Sequence, residues 1–174
     1  IDYRTACTRL DQAVDREEIA QVLLDYARGR CGALVLFIVR ARMALTWHFF
    51  RVPEFGSPQK AFDPQSGKLL KLALSLEGTS IMQAANDSLS PQRGAGFSQG
   101  QTIEQELWKA MGAADPPTEM FVVPIVVRHR AINLVYMHPR PGEGLAEEVV
   151  EELGELGGRG SSAYLRLIRA TRGG

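Results

Sequence analysis

The sequence predicts an α+β domain, a central antiparallel sheet of five to six strands with helices on its faces. Three observations carry that expectation. Leu34–Arg40 and Met43–Phe50 are apolar, β-rich segments separated only by Ala41 and Arg42, a hairpin spacing. Residues 121–140 repeat the pattern about the turn Arg128-His129-Arg130. Asp15 with Glu18, and Thr102 with Gln105, have the spacing of a capping box, in which an N-cap side chain and a residue three positions on satisfy backbone N–H groups reciprocally. Antiparallel neighbours interleaved with helices make a sandwich around one sheet.

Taken in order, a short helical stretch comes first, with Cys7, Leu10 and Val14 on one side. Residues 16–29 form a helix, because Ile19, Val22, Leu23 and Tyr26 recur at helical spacing after the cap and Gly29 with Gly32 closes the segment. The run LVLFIVR, 34–40, is continuously apolar, as a central strand covered on both faces is. In the next strand Met43, Leu45, Trp47 and Phe49 alternate with Ala44, Thr46, His48 and Phe50. Residues 53–68 hold three of the nine prolines and no period, so they read as a long loop. Leu69–Leu76 reads as a third strand with Leu70, Leu72, Leu74 and Leu76 on one face. Gly78-Thr79-Ser80 starts a short helix through about Leu89, and residues 90–101, rich in Gly, Ser and Gln, read as a second loop.

Ile103, Leu107, Trp108 and Met111 give the helix after Thr102 its apolar face, and Asp115-Pro116-Pro117 ends that region. The second hairpin carries Pro124 in its first strand and an arginine-rich turn where Asn-Gly or Asp-Gly is the common choice. From Gly144 onward Leu145, Val149, Leu153, Leu156, Gly160, Tyr164 and Leu167 keep a helical period, predicting one long helix with a weak middle at Gly154, Gly157, Gly158 and Gly160.

Composition bounds the function. A chain of 174 residues, 45% apolar and 23% charged, is long enough to bury a core without disulfides or metal. Twenty basic and twenty acidic side chains cancel, so no global field draws it to nucleic acid or to an anionic membrane. Sixteen of the twenty basic residues are Arg, a bias that fits a GC-rich bacterial genome. Cys7 and Cys31 form no Cys-x-x-Cys or Cys/His cluster, which predicts free thiols in a reducing, cytoplasmic compartment. The longest uncharged apolar run, Ala33–Val39, is too short to span a bilayer, and no signal peptide is expected. Opening on Ile1, the chain is expected to be one domain excised from a longer protein.

With DREEIAQVLLDYARGRCGALVLFIVR at the front, LLKLALSLEGTSIMQAAN in the middle and MFVVPIVVRHRAINLVYMHP before a terminal helix, the chain resembles a GAF domain over residues 5–170. The implied fold is GAF/PAS-like (profilin-like). Val123-Pro124-Ile125 matches a Val-Pro-apolar step common in the penultimate strand of such domains, at a strand irregularity where a missing ladder donor is tolerated. A profilin-like or roadblock-like domain shares the layout but is usually shorter. GAF domains bind cyclic nucleotides, bilins or haem, sense metabolites, or only dimerise, so the resemblance does not settle a use.

No enzyme, cofactor or metal site is expected. Bilin-binding GAF domains carry a pocket cysteine, whereas Cys31 falls at a helix-to-strand junction and Cys7 near the start. The cyclic-nucleotide motif Asn-Lys-Phe-Asp-Glu is echoed only by Lys60, Phe62 and Asp63 at the wrong spacing. Free methionine sulfoxide reductases of this fold need clustered thiols, and two distant cysteines do not supply them. His48, His129 and His138 have no Cys or carboxylate at ligand spacing. Neither a Gly-x-Ser-x-Gly, a phosphate loop nor a His-Glu-x-x-His occurs.

Two surfaces remain as candidates. The resemblance implies a small-molecule pocket beneath the long loops, walled by Trp47, Phe49, Leu74, Ser80, Met82 and Gln83 with Phe97 as a lid; the alternative is that these residues fill a core. The terminal helix has five glutamates in its first half and Arg159, Arg166, Arg169 and Arg172 in its second. That arrangement complements the helix dipole, and it also suits antiparallel pairing in a homodimer through Leu145, Val149, Glu152, Leu156, Gly160, Tyr164 and Arg166. The basic hairpin turns form a possible edge for docking a partner. The first expectation is therefore a non-catalytic regulatory domain acting by protein–protein interaction or dimerisation among the other domains of a signalling protein, the second a nucleotide or metabolite sensor.

Overall fold

The structure, a computed structural model, describes residues 1–52, 64–95, 103–113 and 115–172. Helices α1 (Tyr3–Gln12) and α2 (Arg16–Ala27) precede a hairpin of β1 (Ala33–Arg40) and β2 (Met43–Arg51). Then follow α3 (Pro64–Leu70), β3 (Ala73–Ser75), α4 (Ile81–Ser88), β4 (Gln92–Ala95) and α5 (Ile103–Ala110). A second hairpin, β5 (Glu119–Val127) and β6 (Arg130–His138), leads into α6 (Glu147–Arg172). The six strands form one antiparallel sheet in the order β3-β2-β1-β6-β5-β4, the architecture the sequence predicts.

Each face of the sheet has its own core. Leu34 and Leu36 of β1, with Phe121, Val123, Ile125, Val135 and Met137, pack under α1, α2 and α6. The residues between them in sequence, Val35, Phe37, Val122, Leu134 and Tyr136, pack under α3, α4 and α5. Strand β1 is apolar from Ala33 to Val39, and both faces are covered over its buried part, Ala33–Phe37.

Local chemistry sets the boundaries. Asp15 Oδ1 accepts from Glu18 N at 2.8 Å, while Glu18 Oε2 reaches Val14 N at 2.9 Å, one residue earlier than in the usual capping box. Helix α1 stops at Gln12, so Val14 falls in the connection and is 71% exposed, not buried beside Leu10 as its spacing suggested. Both hairpins close on two residues with positive φ, Ala41 and Arg42 at 48° and 59°, Arg128 and His129 at 53° and 66°. That geometry matches strand twist but strains non-glycine residues. Because β1 and β6 pair from Ala33↔His138 to Ile38↔Asn133, both turns lie at one end of the sheet.

Pro124 stands beyond the end of β4, whose pairing with β5 stops at Gln92↔Val122, so one edge of β5 is open there and the missing donor is tolerated. The register shifts just after it, between Ile125 and Val126, and Ser161 Oγ of α6 accepts from Val126 N at 3.0 Å.

Two segments differ from the reading by pattern. Residues 64–70, taken as the end of a loop and the start of a strand, are helical, and β3 is only three residues long. Pro64 at the first helical position explains the difference: its fixed φ favours a helix start, and leucine suits either structure. Leu69 is buried and Leu70 is 56% exposed, while Leu74 and Leu76 keep the predicted common face. Within the predicted second loop, Gln92–Ala95 is strand β4, held by tertiary pairing and carrying Gly94 where a Cβ would meet Ile81 Cδ1 at 2.7 Å. Residues 53–63 and 96–102, with the lid Phe97 and the cap Thr102, lie outside the described residues.

Candidate functional site

The sheet face under α3, α4 and α5 gathers part of the predicted pocket. Leu74 and Met82 are fully buried there and Phe49 packs against them half-buried. Ser80 is the N-cap of α4, its Oγ accepting from Gln83 N at 2.9 Å, and Gln83 Nε2 donates to Asp87 Oδ2 at 2.5 Å. Trp47 is not in this group. A β-bulge in β2, where Leu36 pairs with His48 and Phe37 with Thr46, leaves Trp47 as the extra residue and sends it to the opposite face. There Arg16 lies over its ring at 5.6 Å and His48 Nε2 meets Glu17 Oε2 at 2.6 Å.

Buried polar groups occupy the same face as Leu74 and Met82. Glu104 of α5, 1% exposed, accepts through Oε1 from Ile81 N at 2.5 Å and Met82 N at 3.3 Å, so a carboxylate from one helix sits on the N-terminus of another. Trp108 Nε1 donates to Tyr136 Oη at 2.6 Å, and Tyr136 Oη meets His138 Nδ1 at 2.9 Å. Burial raises the Tyr136 hydroxyl well above the ordinary tyrosine range. His138 keeps part of its surface exposed, yet burial of its ring pushes it down to about 4. Glu104 had a signal in the sequence that its neighbours' apolar period concealed: with Leu107, Trp108 and Met111 it falls at i, i+3, i+4 and i+7 on the buried side of α5.

The second candidate surface, α6, runs unbroken for 26 residues. Four of the predicted interaction residues turn inward: Leu145, Val149 and Leu156 belong to the core, and a Cβ on buried Gly160 would meet Ile125 Cδ1 at 3.4 Å. These four are packed within the chain's own fold. Glu152 accepts from Tyr26 Oη at 2.5 Å, Tyr164 is half-buried, and Arg166 Nη2 caps the end of α1 through Leu10 O and Ala13 O at 3.2 and 2.8 Å. At Gly157 a Cβ would come within 2.5 Å of Val123 Cγ1, so the helix lies against β5 because glycine lets it. On the other side, a Cβ on Gly154 or Gly158 would meet nothing.

Charges on the flank of α6 are used within the chain. Tyr3 Oη donates to Glu155, Arg159 Nη1 meets Asp11 Oδ2 at 2.9 Å, and Arg93 of β4 bridges Glu119 at 3.1 Å and Glu147 at 2.6 Å. Two open grooves flank the helix. One, of about 330 Å³, lies between Asp2, Arg4, Arg30 and Glu148; the other, of about 530 Å³, between Val14, Arg16, Tyr164 and Ile168. No helix among the described residues is long and apolar enough to cross a membrane.

No family model matches the chain, and no curated protein matches it in sequence. Solved structures match it in fold. Residues 122 to 287 of a methyl-accepting chemotaxis protein superpose with a TM-score of 0.66 at 11% identity, covering 95% of this chain and 96% of that one. The GAF domain of a two-component sensor histidine kinase from Bacillus halodurans gives 0.63 at 10% identity over 91% and 99%, and that of the cyanobacteriochrome TePixJ 0.61 at 18% over 91% and 94%. The chain has the fold of GAF domains.

Proposed function

We propose that this chain is a non-catalytic regulatory domain of a bacterial signalling protein, acting through protein–protein contact and foremost through self-association. The observation that carries the reading is α6: a 26-residue surface helix whose glutamates fill the first half and arginines the second, a distribution complementary to its own reverse. Its support in kind is that the same fold occurs in a methyl-accepting chemotaxis protein and in a sensor histidine kinase.

A second reading is a small-molecule sensor. It is favoured by Glu104, Tyr136 and His138, polar groups on the sheet face that holds Leu74, Met82 and Phe49, because orienting a ligand takes a few polar groups among apolar walls. Native mass spectrometry of the purified chain at several concentrations separates the two. Under the first reading the monomer mass is clean and a dimer grows with concentration. A retained mass excess on the monomer without any dimer overturns it in favour of the sensor.

A further inference from the structure

On the face of the sheet that carries α1, α2 and α6, the helix cover ends before the two hairpin turns. Side chains alternate along a strand, so Ile38 points to the same side as the core residues Leu34 and Leu36. Leu45 is its partner on β2, and Ala73 is the partner of Leu45 on β3, which sets the three in one row across the sheet. Ile38 and Leu45 are half-buried, Ala73 is exposed, and none of them packs into either core. The bulges add to the row. Each neighbour of β1 carries one extra residue, Trp47 in β2 and Ile132 in β6, and both turn to this side, half-buried.

Helix α2 begins beside this row: Arg16 lies over Trp47, and Glu17 meets His48. Helix α6 passes along the other flank, level with the end of β5 at Ser161 and continuing about three more turns to Arg172. The groove of about 530 Å³ bounded by Val14, Arg16, Tyr164 and Ile168 meets the row at the contact of Arg16 with Trp47. Sheet and α6 thus form a corner with an apolar floor and an apolar wall.

We infer that this corner docks an amphipathic helix from outside this domain, apolar on its inner side and carrying Asp or Glu along its flanks. Three arginines set the charge. Arg16 stands at one end; Arg40 and Arg130, both exposed, stand at the other, each two residues from Ile38 or Ile132. Arg130 reaches this side because its neighbour Ala131 packs into the opposite core. Neither Arg40 nor Arg130 has a hydrogen bond or ion pair among the described residues. The nearby acids are engaged: Asp15 caps α2, Glu17 meets His48, and Glu18 accepts from Val14 N. Glu77 stands apart, past β3 at the outer edge of the sheet. The corner therefore joins unspent positive charge to an apolar floor, which complements an acidic amphipathic segment.

The occupant is a helix and not an added strand, because β1 is paired on both sides and offers only side chains here. A flat lipid surface fits less well, since α2 and α6 stand above the floor by about a helix diameter, roughly 10 Å.

The probe is a synthetic peptide of about 18 residues, five turns of helix, with a leucine stripe flanked by glutamates, set against the same peptide with lysines in their place. Binding is read from Trp47 emission and from the methyl NMR shifts of Ile38 and Ile132; Trp108 is buried and gives a constant background. The glutamate peptide binds, more weakly as salt rises, and the lysine peptide scarcely binds. Arg40→Glu with Arg130→Glu keeps the fold by circular dichroism, lowers affinity for the glutamate peptide about tenfold or more, and favours the lysine peptide instead. Leu45→Ser weakens binding as well, whereas Arg4→Glu, at the groove beside Glu148, leaves it unchanged. No binding of the glutamate peptide at millimolar concentration, equal binding of both peptides, or indifference to the double charge reversal overturns the proposal. Shifts at Ile38 that grow with the concentration of the chain alone put a second copy in the corner, and shifts caused only by anionic vesicles put lipid there; either result overturns it too.

Discussion

Gly157 and Gly158 are neighbours in sequence with opposite reasons for being glycine. At Gly157 any side chain meets Val123, whereas at Gly158, as at Gly154, it meets open space. A helical glycine costs roughly 1 kcal/mol relative to alanine. Gly154→Ala and Gly158→Ala are therefore expected to raise the monomer's stability by about 0.5–1 kcal/mol each. Gly157→Ala lowers it by about 1–3 kcal/mol, the usual effect of overpacking. Urea unfolding of dilute protein checks all three. Periodicity alone grouped these glycines as one weak middle, because a sequence shows where glycine lies and not what stands opposite. Trp47 makes the same point: strict alternation put it with Phe49, and one extra residue in β2 turned it to the other face. A bulge of this kind is set by partner strands and leaves no mark in the bulged strand itself.

At the scale of elements, the parts legible in the sequence were those with a local cause. Asp15 caps its helix as its spacing indicates, α4 starts at Ser80 within the predicted Gly78-Thr79-Ser80 start, and both hairpins form at the predicted turns. Strand β4 and the short β3 exist through pairing with β5 and β2, so QRGA and ALS carry little signal of their own. Contact between α4 and α5 was equally invisible. Glu104 joins the two helices by accepting from both Ile81 N and Met82 N. Glu104→Ala removes the acceptor and leaves those buried donors without it, at an expected cost of about 1–3 kcal/mol. Amide exchange at Ile81 and Met82 is expected to accelerate in the variant beyond the global loss of stability; unchanged exchange would mean that α4 holds without α5.

For the molecule as a whole, acid is the informative stress. The His138 ring ordinarily titrates at 6.5, and in the folded chain burial pushes it down to about 4. The unfolded chain therefore takes up its proton first as pH falls. Its contribution to stability is complete above 6.5 and is lost progressively down to about 4, and His138→Gln flattens that part of the curve. Urea midpoints at neutral pH and near pH 5 measure the difference. Fold class was legible at this scale because hairpin spacing and helix caps jointly restrict how the elements can pack; the candidate pocket was less so, since its polar members come from two elements far apart in sequence, α5 and β6, and His138 precedes a proline with no pattern around it.

Helices α1 and α6 run side by side in the same direction, Tyr3 meeting Glu155 while Leu10 and Ala13 meet Arg166 further along. A force pulling residue 1 away from residue 172 would thus slide one helix along the other. Such a load falls on Tyr3–Glu155, Asp11–Arg159 and the Arg166 cap together, as shear across a seam, and does not peel them apart one after another.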